Sequence, residues 1–327
     1  GRACAGVPAP VGGWADAPRL GRVADGSAAL AVTSPPYPMI AMWDAHFAGR
    51  GEGIAAAAAA GRHDEAFERM HRELDAVWRE VHRALAPGGL ACINIGDATR
   101  TLGGVFRLFS SHARILSGCL AIGFQSLPGI IWRKTTNAPN KFMGSGMLPP
   151  GAYVTLEHEH VLVLRKGAGR RFATAEEKRL RAESAFFWEE RNQWFSDVWF
   201  GLPGADQALS PGDARRRSGA FPFELAYRLV NMFSVKGDTV LDPFAGTGTT
   251  MLAAMASERN SISYEIDAAL RPVIAEAAAA LPALANRRNR ERLERHRAFA
   301  AERAREGRPC AHRNAPHDVA CVSGQER

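Results

Sequence analysis

Val240-Leu241-Asp242-Pro243-Phe244-Ala245-Gly246-Thr247-Gly248-Thr249-Thr250 is the stretch that decides the fold. Thr239-Val240-Leu241 reads as a strand, and Asp242-Pro243 ends it because proline has no N–H to give a ladder. Gly246 and Gly248 let the backbone turn sharply and approach a ligand closely. A helix predicted over Thr249 to Ala256 then points its N-terminus at the same place. The next predicted strand, Ser261 to Ile266, carries Glu265 at its end, where a carboxylate can accept both hydroxyls of a ribose. Thr249-Thr250-Met251 follow Gly248, so the third glycine of a dinucleotide fingerprint is missing, and no Gly-Lys-Ser/Thr makes a P-loop. The stretch therefore predicts a nucleotide-like cofactor on a strand–turn–helix unit of another kind.

Working outward, Phe223 to Phe233 reads as a helix leading into that strand. Upstream, Leu30 to Thr33 predicts a short buried strand. From His63 to Leu85 the apolar residues Phe67, Met70, Leu74, Val77, Trp78, Val81 and Leu85 recur at three- and four-residue steps, which predicts an amphipathic helix. Pro87-Gly88-Gly89 stops it, and Leu90 to Ile95 is a strand delivering Gly96-Asp97. Ile130 to Trp132 and His160 to Leu164 are further strands. Ala55 to Ala60 is assigned to a loop, and Ile115 to Trp132, broken by Gly118, Gly123 and Pro128, to two strands and a turn. Such alternation predicts an α/β fold with a mixed, mostly parallel sheet and helices on both faces.

A second motif, Thr33-Ser34-Pro35-Pro36-Tyr37, lies about two hundred residues earlier. An exocyclic amine on a base is a weak nucleophile because its lone pair is delocalised into the ring. Ser34 Oγ and the Pro35 carbonyl can accept its two N–H bonds, Pro35 and Pro36 fix the backbone, and Tyr37 can stack on the ring. That is preorganisation, and it needs no metal. Asp97 either faces the same target or caps the turn after its strand. His158 and His160 fall on one face of a strand with no cysteine or third ligand evident, and are read as structural.

The glycine-rich segment resembles the S-adenosylmethionine-binding motif of the amino DNA methyltransferases, and Ser34-Pro35-Pro36-Tyr37 resembles their catalytic motif. The catalytic motif leads, as in the permuted (β) group. The resemblance runs from about Trp14 to Ala275 and implies a class I (Rossmann-like) methyltransferase fold. It places Asp242, Pro243, Phe244, Ala245, Gly246, Thr247, Gly248, Thr249, Thr250 and Glu265 around S-adenosylmethionine, with Phe221 and Pro222 against it. Asp16 would meet the adenine amine, although Ala15 stands where the family has glycine. Ser34 in place of an acid implies cytosine N4 as the acceptor. The same scaffold also serves adenine N6, and related Pro-Pro-Tyr motifs act on RNA or on protein glutamine. A non-catalytic DNA-binding relative, or a subunit of a restriction complex, is the reading from a different class.

Composition is compatible with this. The 327 residues carry a net charge of +7 with a pI near 9.5, which suits a polyanion such as double-stranded DNA. Between Ala285 and Pro309 nine arginines face four glutamates, a run that fits a solvated, partly frayed helix as well as a DNA-contacting arm. Five cysteines without C-x-x-C spacing argue for a reduced, cytoplasmic protein with no structural zinc, Cys92 and Cys119 reading as buried, and the resemblance implies that it is nucleoid-associated. No stretch reads as a signal peptide or membrane span. The expected division is a catalytic domain of residues 1–165 and 221–283, a target-recognition insertion of 166–220, and a basic, partly disordered tail of 284–327. The loop Thr135 to Tyr153 with Lys134 and Lys141, and Arg215 to Arg217, are the candidate DNA contacts. A restriction endonuclease is the candidate protein partner, and the chain is expected to be a monomer or dimer.

Overall fold

Two motifs two hundred residues apart in sequence lie on neighbouring strands. The computed structural model describes residues 20–51, 53–134, 143–202 and 221–326. Asp16, Lys141, Thr135 and Arg215 to Arg217 lie outside the described residues. In chain order the strands are β1 (Ala28–Thr33), β2 (Leu85–Ile95), β3 (Ala98–Leu102), β4 (Val105–Phe109), β5 (Phe124–Ser126), β6 (Ile130–Arg133) and β7 (Met143–Gly144). They continue as β8 (Ala152–Tyr153), β9 (His158–Lys166), β10 (Val198–Trp199), β11 (Thr239–Asp242), β12 (Asn260–Ser263), β13 (His312–Asn314) and β14 (Val319–Cys321). The helices are α1 (Asp44–Ala48), α2 (Ile54–Ala59), α3 (His63–Ala84), α4 (Ser111–Ile122), α5 (Ala175–Glu183) and α6 (Trp188–Trp194). After them come α7 (Phe223–Phe233), α8 (Thr249–Ala256) and α9 (Arg271–Arg305).

Eight of the described strands form the central sheet, in the order β10-β6-β9-β2-β1-β11-β12, with β5 pairing β9. Strands β10 and β6, β2 and β1, β1 and β11, and β11 and β12 pair in parallel, while β9 runs antiparallel to β2, β5 and β6. One reversed strand in an otherwise parallel sheet is the mixed sheet the sequence predicts. Alternation along the strands sorts the core into two layers. Ala31, Ala91, Ile93, Leu162, Leu164 and Leu241 pack with α3 and α4 on one face. Leu30, Val32, Cys92, Val161, Val163 and Val240 pack with α7 and α8 on the other. Burial on both faces is why these strands read as continuous apolar runs. Cys92 and Cys119 are free and buried, as expected.

Four expectations change. Ile115 to Trp132 is half helix, because Ile115 and Cys119 are spaced for one buried face of α4 and Gly123 ends it in the left-handed region at φ 118°. Gly118, read as a breaker, is a contact point: a Cβ there would sit 2.5 Å from Asp75 Oδ1 on α3. Ala55 to Ala59 lie in α2, since alanine needs no special turn to be helical. The strand after α8 ends at Ser263, so Glu265 stands on a turn beyond it. Residues 284–326 are not a frayed tail. They complete α9 and form the β13–β14 hairpin, because Arg288 and Arg292 turn inward to Glu224 and Glu190 and His296 is fully buried.

The described part of 166–220 builds α5, α6 and β10. Trp194 and Trp199 sit in the same core layer as Leu30 and Val240, which makes them scaffold. Helix α9 is long and, over its alanines, apolar enough to meet the composition of a membrane span, but it lies against α8 and β14.

Candidate active site

The parallel pairing of β1 with β11 sets Leu30 opposite Val240 and Ala31 opposite Leu241, so both motifs leave the sheet at the same edge. Two side-chain bonds lock them together. Thr33 Oγ1 donates to Asp242 Oδ1 at 2.6 Å, and Thr250 Oγ1 donates to the Val32 carbonyl at 3.1 Å. Chain order reverses at this point of the sheet, where open α/β folds leave a crevice for ligands.

On the β11 side, Gly246 (φ 52°) and Gly248 (φ 82°) occupy the left-handed region, and Gly248 precedes the first turn of α8. Asp242 is fully buried and is held by neutral donors, Thr33 Oγ1 and the Phe244 amide, both on Oδ1. Burial raises its pKa to about 6, against the pull of those hydrogen bonds. Glu265 is also pushed upward by burial, while backbone amides hold it down: Gly246 N donates to Oε2 at 2.7 Å and Asp267 N to Oε1 at 2.8 Å. Each oxygen keeps a second lone pair for a hydroxyl. One buried and one partly buried carboxylate beside a glycine turn are suited to an ammonium and a ribose. That fits S-adenosylmethionine, whose methionine end carries a cation. Phe221 is buried in the core layer with Val32 and Val240, and Pro222 caps α7.

On the β1 side, Pro35 and Pro36 are buried and Ser34 is half-exposed. Ser34 Oγ donates to Tyr37 Oη at 3.1 Å, and Tyr37 Oη donates to Glu159 Oε2 at 2.9 Å. Asn94 Nδ2 donates to both Tyr37 Oη (2.9 Å) and Glu159 Oε2 (2.6 Å), and Lys134 Nζ meets Glu159 Oε1 at 2.5 Å. Burial, then the Glu159 charge, pushes the Tyr37 phenol well above its ordinary value, so it stays a neutral donor. Asn94 Oδ1 is buried without a hydrogen-bond partner among the described residues. Gly96 makes the cluster possible, since a Cβ there would lie 3.1 Å from the Tyr37 ring and 3.2 Å from Glu159 Cγ.

Sequence reading missed Asn94, Glu159 and Lys134 as members of this cluster. A signal was present: a carboxylate and an amide on apolar strands are costly to bury unless paired. Asp97 caps α4, accepting from the His112 amide at 3.0 Å and from His112 Nδ1 at 2.7 Å. The His112 ring stacks on His160 at 3.9 Å, so His160 does have neighbours that the sequence did not reveal. Ligand atoms of Asp97, His112 and His160 lie within 4.8 Å of one another, but near-parallel rings (17°) do not converge their lone pairs on one point.

Comparison with known proteins shows the family. The family model described as DNA methylase, of the N6/N4 type, matches residues 28–276. The type II methyltransferase M.MthZI of Methanothermobacter thermautotrophicus is 54% identical over 253 residues, covering 76% of this chain and 70% of that protein. M.MjaI of Methanocaldococcus jannaschii, also a type II methyltransferase, is 48% identical over 274 residues, covering 80% and 89%. Among solved structures, TTHA0409 of Thermus thermophilus, described as a DNA modification methylase and complexed with S-adenosyl-L-methionine, superposes with a TM-score of 0.63. It is 34% identical, covering 82% of this chain and 92% of that one. With residues 28–276 matched, the chain belongs to the N6/N4 DNA methylase family, the S-adenosylmethionine-dependent enzymes of class I methyltransferase fold.

Proposed function

We propose that the protein methylates the exocyclic N4 amine of a cytosine turned out of double-stranded DNA, as the modification enzyme of a restriction–modification system. The observation that carries the reading is the direction of the hydrogen bonds at Ser34. Its hydrogen is committed to Tyr37, so its lone pairs are left to accept an amine N–H. The Pro35 carbonyl is the second acceptor, and buried Asn94 Oδ1 is a third group of the right kind nearby. Holding both N–H bonds turns the nitrogen lone pair out of conjugation and toward the methyl donor, which is orientation in place of acid–base power. In this reading Asp242 and the Gly246–Thr250 turn hold the methionine end of the cofactor and Glu265 its ribose, with Phe221, Pro222 and Asp16 completing the pocket. When bound, the cofactor supplies a methyl group already activated by the sulfonium charge.

A neutral hydroxyl at position 34 suits the cytosine amine, and the type II relatives support the restriction–modification setting. Extruding the base costs a few kcal/mol, which stacking on Tyr37 and the amine bonds must recover. Residues 203–220 and the segment 135–153 are the proposed readers of sequence, and the exposed arginines of α9 are proposed phosphate contacts. The deciding experiment is nucleoside analysis of DNA methylated in vitro. N4-methylcytosine is expected, and N6-methyladenine as sole product would move the assignment to the other amine. Ser34→Ala is expected to lower turnover far more than cofactor affinity.

A further inference from the structure

Methylation of an amine leaves one proton too many on nitrogen. As the N–C bond forms and the C–S bond breaks, its electron pair going to sulfur, the nitrogen becomes cationic and must release an N–H proton to reach the neutral product. The acceptors at Ser34 and Pro35 hold that hydrogen, but neither a serine hydroxyl nor a carbonyl is basic enough to keep it.

We propose that Ser34, Tyr37 and Glu159 form a proton exit, passing the surplus proton from the methylated amine through two hydroxyls to a carboxylate. The chain of donors already runs one way. Ser34 donates to Tyr37 at 3.1 Å, and Tyr37 donates to Glu159 Oε2 at 2.9 Å. One proton entering at Ser34 Oγ displaces the Ser34 hydrogen to Tyr37 Oη and the Tyr37 hydrogen to Glu159. Both hydroxyls end neutral, the carboxylate ends protonated, and no oxidant or co-reactant is consumed.

The surroundings of Glu159 suit a terminal acceptor. Its Oε1 pairs with Lys134 at the end of β6, and its Oε2 takes hydrogen bonds from Tyr37 and from Asn94 on β2; His158 and His160 flank it on its own strand. Asn94 is an amide and cannot take the proton, so it is a positioning residue for the two groups that carry it. Glu159 is 8% exposed, but its partner Lys134, lying over Trp132 at 5.1 Å, has a side chain 43% exposed, so the carboxylate is one ion pair from solvent and the proton can leave past Lys134 between turnovers. The missing side chain at Gly96 leaves the room in which the Tyr37 ring and Glu159 meet.

This inference rests on the reading in which Ser34 receives the amine, and the test separates the two. Single-turnover methylation of duplex DNA with labelled S-adenosylmethionine is measured across pH for Glu159→Gln, Tyr37→Phe, the double variant and Ser34→Ala. Gln keeps an oxygen that can accept from Tyr37, so a role limited to packing survives that change. A relay predicts transfer slower by roughly a hundredfold in Glu159→Gln. It also predicts unchanged cofactor affinity by calorimetry. Tyr37→Phe should lose as much, and the double variant no more than either. Apart from activity, the Tyr37 ring followed by NMR should titrate at lower pH in Glu159→Gln. A wild-type rate in Glu159→Gln would overturn the relay. If that variant fails to bind cofactor, Tyr37→Phe decides alone, because it leaves Glu159, Asn94 and Lys134 in place. Wild-type transfer by Ser34→Ala would instead overturn the underlying assignment of the amine site.

Discussion

Asp242 carries a cost that only a ligand can offset. Its carboxyl is buried, burial lifts it from 3.8 to about 6, and its oxygen is met by a hydroxyl and an amide. A raised folded value means this group contributes stability below about pH 4 and loses it as pH rises through about 6. At neutral pH the charged form therefore costs the empty protein about 3 kcal/mol. On the proposed reading, binding a cationic methionine end reverses the sign of that environment. Asp242→Asn is predicted to leave the melting temperature of the free protein at pH 7.5 unchanged or higher, because an amide oxygen can accept both bonds. The same change should weaken S-adenosylmethionine binding by roughly tenfold or more, the size of one lost charge-assisted bond. Calorimetry at pH 5 and 7.5 should also show wild-type affinity rising with pH and the variant flat. Gly96 makes a complementary prediction on the other half of the site. Gly96→Ala pushes a methyl against the Tyr37 ring and Glu159 Cγ. Turnover should fall by about tenfold or more with cofactor affinity intact, following the scale by which small misplacements are punished. Equal losses in both measurements would show that the contact supports the fold and not the cluster.

Between strands, the joint of β1 and β11 brings the two motifs together. Thr33 is the last residue of β1, is 1% exposed, and bonds across to Asp242. Thr33→Val keeps the shape and removes the donor, so a buried carboxylate loses a partner at a cost of about 1–3 kcal/mol. Urea unfolding should show that loss above pH 6 and little of it at pH 4, where the carboxyl is protonated. The elements legible in the sequence were those with one clean period. Helix α3 has its buried residues at three- and four-residue steps, and α7 and α8 match the spans their sequences predict. Helix α4 was misread because Gly118 looks like a breaker until Asp75 is seen to need its space. The Ser34 cluster was half legible for the same reason. Ser34 and Tyr37 are neighbours in sequence, but Asn94, Lys134 and Glu159 arrive from β2, the end of β6 and β9, and only sheet register brings them together.

Across the whole molecule, the C-terminal segment is tied to α6 through a buried histidine. The imidazole of His296 on α9 is fully buried, with Nδ1 at 2.9 Å from Glu189 Oε1 and Nε2 at 2.8 Å from the Ala320 carbonyl of β14. Phe187 stacks on it at 3.8 Å. Glu326, beyond the hairpin, accepts from the Trp188 amide at the start of α6 and from the Ser323 amide. One histidine thus joins α9, the hairpin and the α6 segment that leads into β10. With acceptors on both nitrogens it must carry two protons to satisfy both. Burial opposes that charge, yet the bond and charge of Glu189, helped by the Ala320 carbonyl, win, so its value is raised above the ordinary one. A raised histidine contributes stability that is fully present below its unfolded value and is lost as pH climbs through the folded one. Urea denaturation is therefore predicted to show the wild-type protein losing stability as pH rises from the ordinary histidine range through the higher folded value. His296→Gln should be flat over that window and weaker than wild type at pH 6 by a few kcal/mol, the scale of breaking a buried charged pair. Parallel pH curves for the two proteins would mean that the imidazole is neutral and that the hairpin is held by Glu326 and Cys321 packing alone. The loss at pH 6 should also reach the sheet, since α6 and β10 are tied to the same clamp. Hydrogen exchange in His296→Gln should then quicken in β10 and α6 before it quickens in β1 or β11, because Trp194 and Trp199 reach the core only through that segment.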